Sequence, residues 1–497
     1  MMKFFNSLFY KTRRITLLSL SILLVLVVWL IPGCTERKAQ DGEEIVKETD
    51  NPIPDEVLLT TAINQNCKYI LTEWWNGSKD IAFQDSYLPN YRPLTSEQEE
   101  ENQQCIESFK HWYNESYLQI ANWKNNVYSE NAILPPSYAC RVLSCAIHYG
   151  FYDEEATGVE KKEALKKTVL LISSLAKYHC TNSEDGWGHC WQGALWAEML
   201  GMSALLMKDY LSDSDWGMIC NMIRSECNYV INVAGVKVYK DRQSQVIEGY
   251  TGDSQSETDA WNATILALAI AAMPDDPRQS EWRKFFVELN ISAMTCPSDV
   301  FSDRVIDGYS FVNSKGSNIN EDGTVTNHDK WHIDYMASPI ESIAESSIAL
   351  SFSPENIKFE CLRFNVDKIY KALVDLDLGE FDPSKAGHHF YERTKDGVAT
   401  SHTNMPGDNE WGDNRQANYY LVDTYCSLIG ADNNLEDNLK ADKWARCRIV
   451  KITEMMKREN SGKIYQDGEE NFASGQLYAM ACLAQVFSLH KENIFMK

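Results

Sequence analysis

From about residue 57 onward, apolar positions recur three and four residues apart in long segments separated by polar, Gly-rich or Pro-rich stretches. The clearest of these predict helices over 161–179, 190–211, 216–233, 256–273, 278–294, 341–352, 415–430, 444–458 and 473–490. They are of two kinds. Segments such as ALWAEMLGMSALLM and ATILALAIAAM are apolar around their whole circumference, as suits a helix packed on every side, whereas KKEALKKTVLLISSLAKYH carries a charged face suited to an outer position. Strand patterning is weak everywhere, and an alternating run such as VKVYKDRQSQV (236–246) is short enough to be a hairpin decoration.

The pattern therefore predicts a single all-α domain over 57–497. About a dozen helices with long loops between alternate pairs suit an (α/α)-toroid (an alpha/alpha barrel). In that arrangement an inner ring of helices surrounds a groove, and the loops at one end carry the chemistry. A helical solenoid is the alternative architecture, but no fixed sequence period supports it.

The first 33 residues follow a different pattern. Lys3, Lys11, Arg13 and Arg14 precede the apolar run ITLLSLSILLVLVVWLIP with no acid between them, a basic region and hydrophobic core typical of a secretory signal. The run ends in Ile31-Pro32-Gly33-Cys34, which resembles the lipobox of bacterial lipoproteins and implies lipidation at Cys34. An uncleaved membrane anchor is the alternative, since the run is just long enough to span a bilayer. Either reading places the remaining chain outside the inner membrane, in the periplasm or at the cell surface. Residues 34–56 are charged, free of aromatics and contain two prolines, and predict a solvated tether.

Composition sharpens this picture in three places. The chain has 47 Lys and Arg against 71 Asp and Glu, a net charge of −24. The leader removes four cations and no acid, so the exported body carries −28. That sign is wrong for binding a phosphate backbone, and a nucleic-acid partner is not expected. The 14 Trp, 24 Tyr and 18 Phe serve either as helix-packing bulk or as platforms for sugar rings. None of the 14 cysteines forms a CxxC pair, and several sit in apolar helical stretches, so mostly free thiols are expected.

Four polar segments beside apolar helices hold the candidate chemistry. In Asp185–Gln192, Trp187 and Trp191 are candidates to stack on sugars, and His189 and Gln192 to hydrogen-bond a substrate near a helix N-terminus; core packing is the alternative for both tryptophans. In Gly249–Asn262, Ser254 or Ser256 can cap a helix whose first turn holds Glu257 and Asp259, which leaves Asp253 as the site candidate. Glu321–Tyr335 is the densest cluster. The last runs through His388 and His389 to Asp408, Glu410, Trp411 and Arg415, where Arg415 needs an anionic partner, either an acid of its own loop or a substrate carboxylate. No HExxH or EF-hand pattern occurs, and no metal or other cofactor is expected; the His328–His332 spacing alone does not make a zinc site.

Asp322-Gly323-Thr324, followed by Asn327-His328 and then Tyr335, resembles the signature loop of (α/α)-toroid polysaccharide lyases of the hyaluronate-lyase and heparinase type. The resemblance implies β-elimination at a uronic acid, with His328 and Tyr335 as acid and base. Asn327, His189, Gln192 or Arg415 would hold the substrate carboxylate, with His332, His388, His389 and Trp411 as further contacts. The large β-sandwich usual in those lyases has no counterpart here, so the likeness is to the toroid alone. Two other readings stay open. A glycoside hydrolase would use a pair drawn from Asp253, Asp322, Asp408 and Glu410, and a surface glycan-binding lipoprotein would have no catalysis at all.

Overall fold

The computed structural model describes residues 55–75, 130–184, 186–247, 249–250, 252–327, 330–331, 333–355, 357–380, 383–393, 399–401 and 416–457. Cys34 and its leader, most of the tether and the expected helix over 473–490 lie outside the described residues. So do His328, His332, Asp408, Glu410, Trp411 and Arg415.

Helix accounts for 66% of the described residues. In chain order the main helices are α1 (Asp55–Tyr69), α2 (Glu130–His148), α3 (Lys161–Lys177), α4 (Gly193–Leu206), α5 (Asp213–Tyr229) and α6 (Ser256–Ala272). They continue with α7 (Gln279–Met294), α8 (Ile333–Ser351), α9 (Val366–Asp375), α10 (Gln416–Ile429) and α11 (Ala441–Lys457). Four antiparallel pairs of very short strands decorate the loops: β1 (Lys240–Asp241) with β4 (Gly316–Ser317), β2 (Val305–Ile306) with β3 (Tyr309–Ser310), β5 (Thr326–Asn327) with β6 (Lys330–Trp331), and β7 (Tyr391–Arg393) with β8 (Ala399–Ser401). The segment expected as a hairpin over 236–246 closes only by the Lys240–Val246 bridge and otherwise pairs β1 with β4.

Apolar patterning decides which helices are inside. Along α4 every residue except Leu195 and Leu205 is buried, and along α6 only Glu257, Thr258 and Ala272 escape full burial. Both lack a polar face, so only neighbours on all sides satisfy them. α6 packs on α4, α7 and α8, and α8 in turn on α10. α2 packs on α3 and α4, α10 on α11, and α1 on both α11 and α2. The amphipathic helices α3 and α5 lie against α4 and each other with their charged faces outward. The aromatic surplus is largely bulk: Trp187, Trp196, Trp282 and Trp444 are among the largest fully buried side chains.

Two groups of charges in this interior are paired between helices. Arg141 of α2 donates to Glu345 of α8 at 2.7 Å and pairs with Glu198 of α4, all three side chains being almost wholly buried. Arg448 of α11 donates to Asp423 of α10 at 2.6 Å and lies 4.2 Å from the centre of the Tyr391 ring and 5.0 Å from that of Tyr419. Eleven cysteines among the described residues are free thiols, seven of them in helices α1, α2, α5, α10 and α11. Among the described residues no helix is long and apolar enough to cross a membrane.

Candidate functional site

The loop joining α3 to α4 is folded back on itself. Trp187 donates its backbone N–H to the Tyr178 carbonyl (2.9 Å), and the Cys180 N–H returns to the Trp187 carbonyl (2.6 Å). This pairing turns the Trp187 indole inward, where its N–H reaches the Leu175 carbonyl at 2.8 Å and its ring meets His179 edge-on at 4.9 Å. Trp187 is therefore a core residue and not the sugar platform expected of it. Trp191, four residues later, is 63% exposed and stands edge-on against Trp261 in the second turn of α6, ring centres 5.6 Å apart.

His189 is exposed and adopts a left-handed backbone with φ of 50°. Its ring stacks on Tyr229 of α5 (5.3 Å, 5° between planes), and Nε2 lies 2.8 Å from the Ser225 hydroxyl. Gln192 occupies the N-cap position of α4, and its side-chain oxygen is buried with no hydrogen-bond partner among the described residues. This side-chain oxygen is a buried acceptor on the residue that precedes the first turn of α4.

Two further loops arrive at the same place. The segment before α6 is tied to the β5–β6 hairpin by the Ser254 N–H bond to the Thr326 carbonyl (2.7 Å). Asn318 is the junction. Its carbonyl accepts from the Ser254 hydroxyl (2.7 Å), and its side chain bridges the Gln255 N–H, the Ser292 carbonyl and the Lys237 carbonyl. The Ser254 hydroxyl also accepts the Ser256 N–H (3.0 Å), and so supports the start of α6 in the way a helix cap does. Asp253, half-buried, adjoins this knot; Asn327, buried, lies in β5; Tyr335, half-buried, lies in the first turn of α8. Trp261 is five residues along α6 from its first residue, Ser256, about 7.5 Å of helix. Trp191 thus meets α6 near its N-terminal end, the end to which the Ser254–Thr326 bond ties the β5–β6 hairpin, and that hairpin leads directly into the first turn of α8.

The remaining expected residues fall elsewhere or serve the fold. The Asp322 carboxylate accepts from the Thr324 N–H (2.9 Å) and hydroxyl (2.7 Å) across Gly323, whose φ of 88° favours glycine. In this arrangement it holds the turn. His388 and His389 follow α9, where His389 Nδ1 lies 2.9 Å from the Leu376 carbonyl and His388 Nδ1 lies 2.9 Å from a Glu392 oxygen. Of the two acids placed in the first turn of α6, Asp259 is fully buried, with one oxygen accepting the Lys237 N–H at 3.1 Å and the other without a geometrically formed hydrogen bond among the described residues. Burial pushes its carboxyl from 3.8 to about 8.

Sequence reasoning passed over a group directly beneath the α3–α4 loop. Glu226 of α5 is wholly buried; one of its oxygens accepts the His189 N–H (2.7 Å) and faces His179 Nε2 (2.8 Å). The His179 imidazole is held below its ordinary pKa by burial, which outweighs the pull of Glu226. The signal was present as a lone acid in the apolar stretch MICNMIRSECNYV, since an ionisable group inside a helix face needs a partner. Comparison of the chain with protein-family models, with curated proteins and with solved structures gives no match.

Proposed function

We propose that the chain is an exported, lipid-anchored, carbohydrate-active enzyme on an (α/α)-toroid scaffold, acting by β-elimination on a uronate-containing glycan. The observation that carries this reading is an exposed aromatic platform, Trp191 against Trp261, at the end of α6 that is tied to the β5–β6 hairpin bearing Asn327 and leading into the turn with Tyr335. Tryptophan faces suit sugar rings, and an exposed Trp held rigidly by a buried one costs little order on binding. The toroid reading draws support from the packing order α2, α4, α6, α8, α10, α11 and α1, whose last member packs again on α2. Export and lipidation at Cys34 rest on the leader alone.

Elimination requires a proton to leave the carbon beside the uronate carboxylate, which in turn requires that carboxylate to be neutralised. In this reading Asn327, Gln192 and His189 contact the carboxylate or neighbouring hydroxyls. Tyr335 and His328, the residue following Asn327, exchange the protons. The test is incubation of purified protein with uronate and neutral glycans. An ultraviolet-absorbing unsaturated product is expected, and Tyr335→Phe and His328→Ala abolish it. New reducing ends without that product indicate a hydrolase instead, binding without product indicates a glycan-binding protein, and full activity in both variants overturns the residue assignment.

A further inference from the structure

We propose that His179, Cys180 and Glu226, completed by Cys190, form a binding site for one divalent transition-metal ion of the zinc class. Donor atoms of His179, Cys180 and Glu226 lie within 4.8 Å of one another. Donors bound at about 2.0–2.3 Å around a tetrahedral ion sit roughly 3–4 Å apart, so only a small inward movement is needed. Cys190 Sγ lies outside that group of three, on the side of the second Glu226 oxygen, and has to swing inward to complete it. A methyl group placed on Gly193 would lie 3.4 Å from Cys190 Sγ and 3.2 Å from Glu226 Oε2, so sulfur and oxygen border the same small space.

The second line of argument is charge. Glu226 has no exposed surface, and its second oxygen has no hydrogen-bond partner among the described residues. Its only ion pair among them is with His179, and no Lys or Arg reaches it. Buried carboxylates are ordinarily matched by a cation or a metal, because an unmatched one costs several kcal/mol. The chain also bends unfavourably to enclose this point. His189 takes a left-handed backbone, and Gly188, with φ of 118°, runs so close that any side chain there would overlap His179 and Glu226. Thiolate, imidazole and carboxylate together favour zinc over calcium or magnesium.

Loading requires modest rearrangement. The ion takes the place of the proton between His179 Nε2 and Glu226, and that proton moves to Nδ1. The exposed Thr181 N–H, 3.2 Å from Nδ1, then turns to water, and each thiol releases its proton to solvent. All four donors come from the protein, so the site is closed and structural, and it fixes the loop that presents Trp191.

The experiment uses the full chain and cobalt(II) or zinc(II) as probes. One equivalent of zinc per chain is expected, and cobalt(II) is expected to give the intense near-ultraviolet charge-transfer absorption of thiolate ligation. Cys180→Ser lowers that absorption, Cys180→Ser combined with Cys190→Ser removes it, and the double variant weakens zinc binding beyond the roughly 10- to 100-fold that loss of a merely supporting partner causes. Cys220→Ser, on α5 but outside the cluster, leaves both unchanged. Saturating cobalt(II) without a thiolate band on the unsubstituted protein overturns the proposal whether or not the variants fold. Unaltered zinc affinity in both Cys180→Ser and Glu226→Gln does the same.

Discussion

Two buried acid clusters in this molecule meet the same difficulty differently. Between α2, α4 and α8, Glu198 and Glu345 share Arg141, which reaches both. Beneath the α3–α4 loop, Glu226 is equally buried but among the described residues is met only by an imidazole and a backbone N–H. In the first cluster a fixed cation is built into the sequence, and burial still pushes the Glu198 carboxyl up to about 8. In the second the compensation comes from dipoles, which leaves room for a cation from outside. A buried charge with its partner supplied is architecture, and one without is a candidate for chemistry.

The largest effect expected from breaking this contrast is at Arg141. Arg141→Met strands two carboxylates together in the interior and is expected to lower unfolding free energy by about 3–5 kcal/mol in urea titrations. Adding Glu198→Gln and Glu345→Gln should recover much of the loss. Glu226→Gln in chelator-treated protein is expected to cost far less, within about 1 kcal/mol, because no cation is stranded. Equal losses at the two sites would remove the distinction between them.

Acidity provides a second test. Asp259 and Glu198 have folded pKa values raised to about 8 from 3.8 and 4.5. A raised carboxyl binds its proton more tightly in the folded state, so its contribution to stability is complete below the unfolded pKa and declines as pH rises from about 4 through about 8. Urea midpoints should therefore fall across that interval, and Asp259→Asn should flatten the slope. The smallest structural effect is at Trp191. Trp191→Ala should change stability by no more than about 0.5 kcal/mol, since the side chain is mostly in solvent, yet raise KM for a glycan substrate with kcat retained. Unchanged KM would detach Trp191 from substrate binding.

The helices that were legible in the sequence are those whose packing repeats regularly. The segment expected over 256–273 forms α6 at Ser256–Ala272, and that expected over 278–294 forms α7 at Gln279–Met294. α2 was obscured by the Pro135-Pro136 pair near its start, and α9 is only ten residues long, too short for periodicity to stand out. α8 begins at Ile333 rather than near 341, because Pro339 reads as a helix breaker. The candidate site was legible as composition but not as arrangement. Trp187 and Trp191 lie in one motif, and only the backbone pairing of Trp187 with Tyr178 and Cys180 sends one to the core and the other to solvent. His179 and Glu226 stand 47 residues apart, and nothing local in the chain links them.

Pro339 has one more consequence. It sits inside α8 and has no N–H to offer the carbonyl of Tyr335, one turn earlier. The helix ladder thus lacks a rung between the turn that carries Tyr335 and the long segment that carries Glu341 and Glu345. A missing rung at that point is where a helix bends most readily, so under the proposed reading the turn that would carry the proton-transferring Tyr335 joins the segment with the buried charges at its most pliable point.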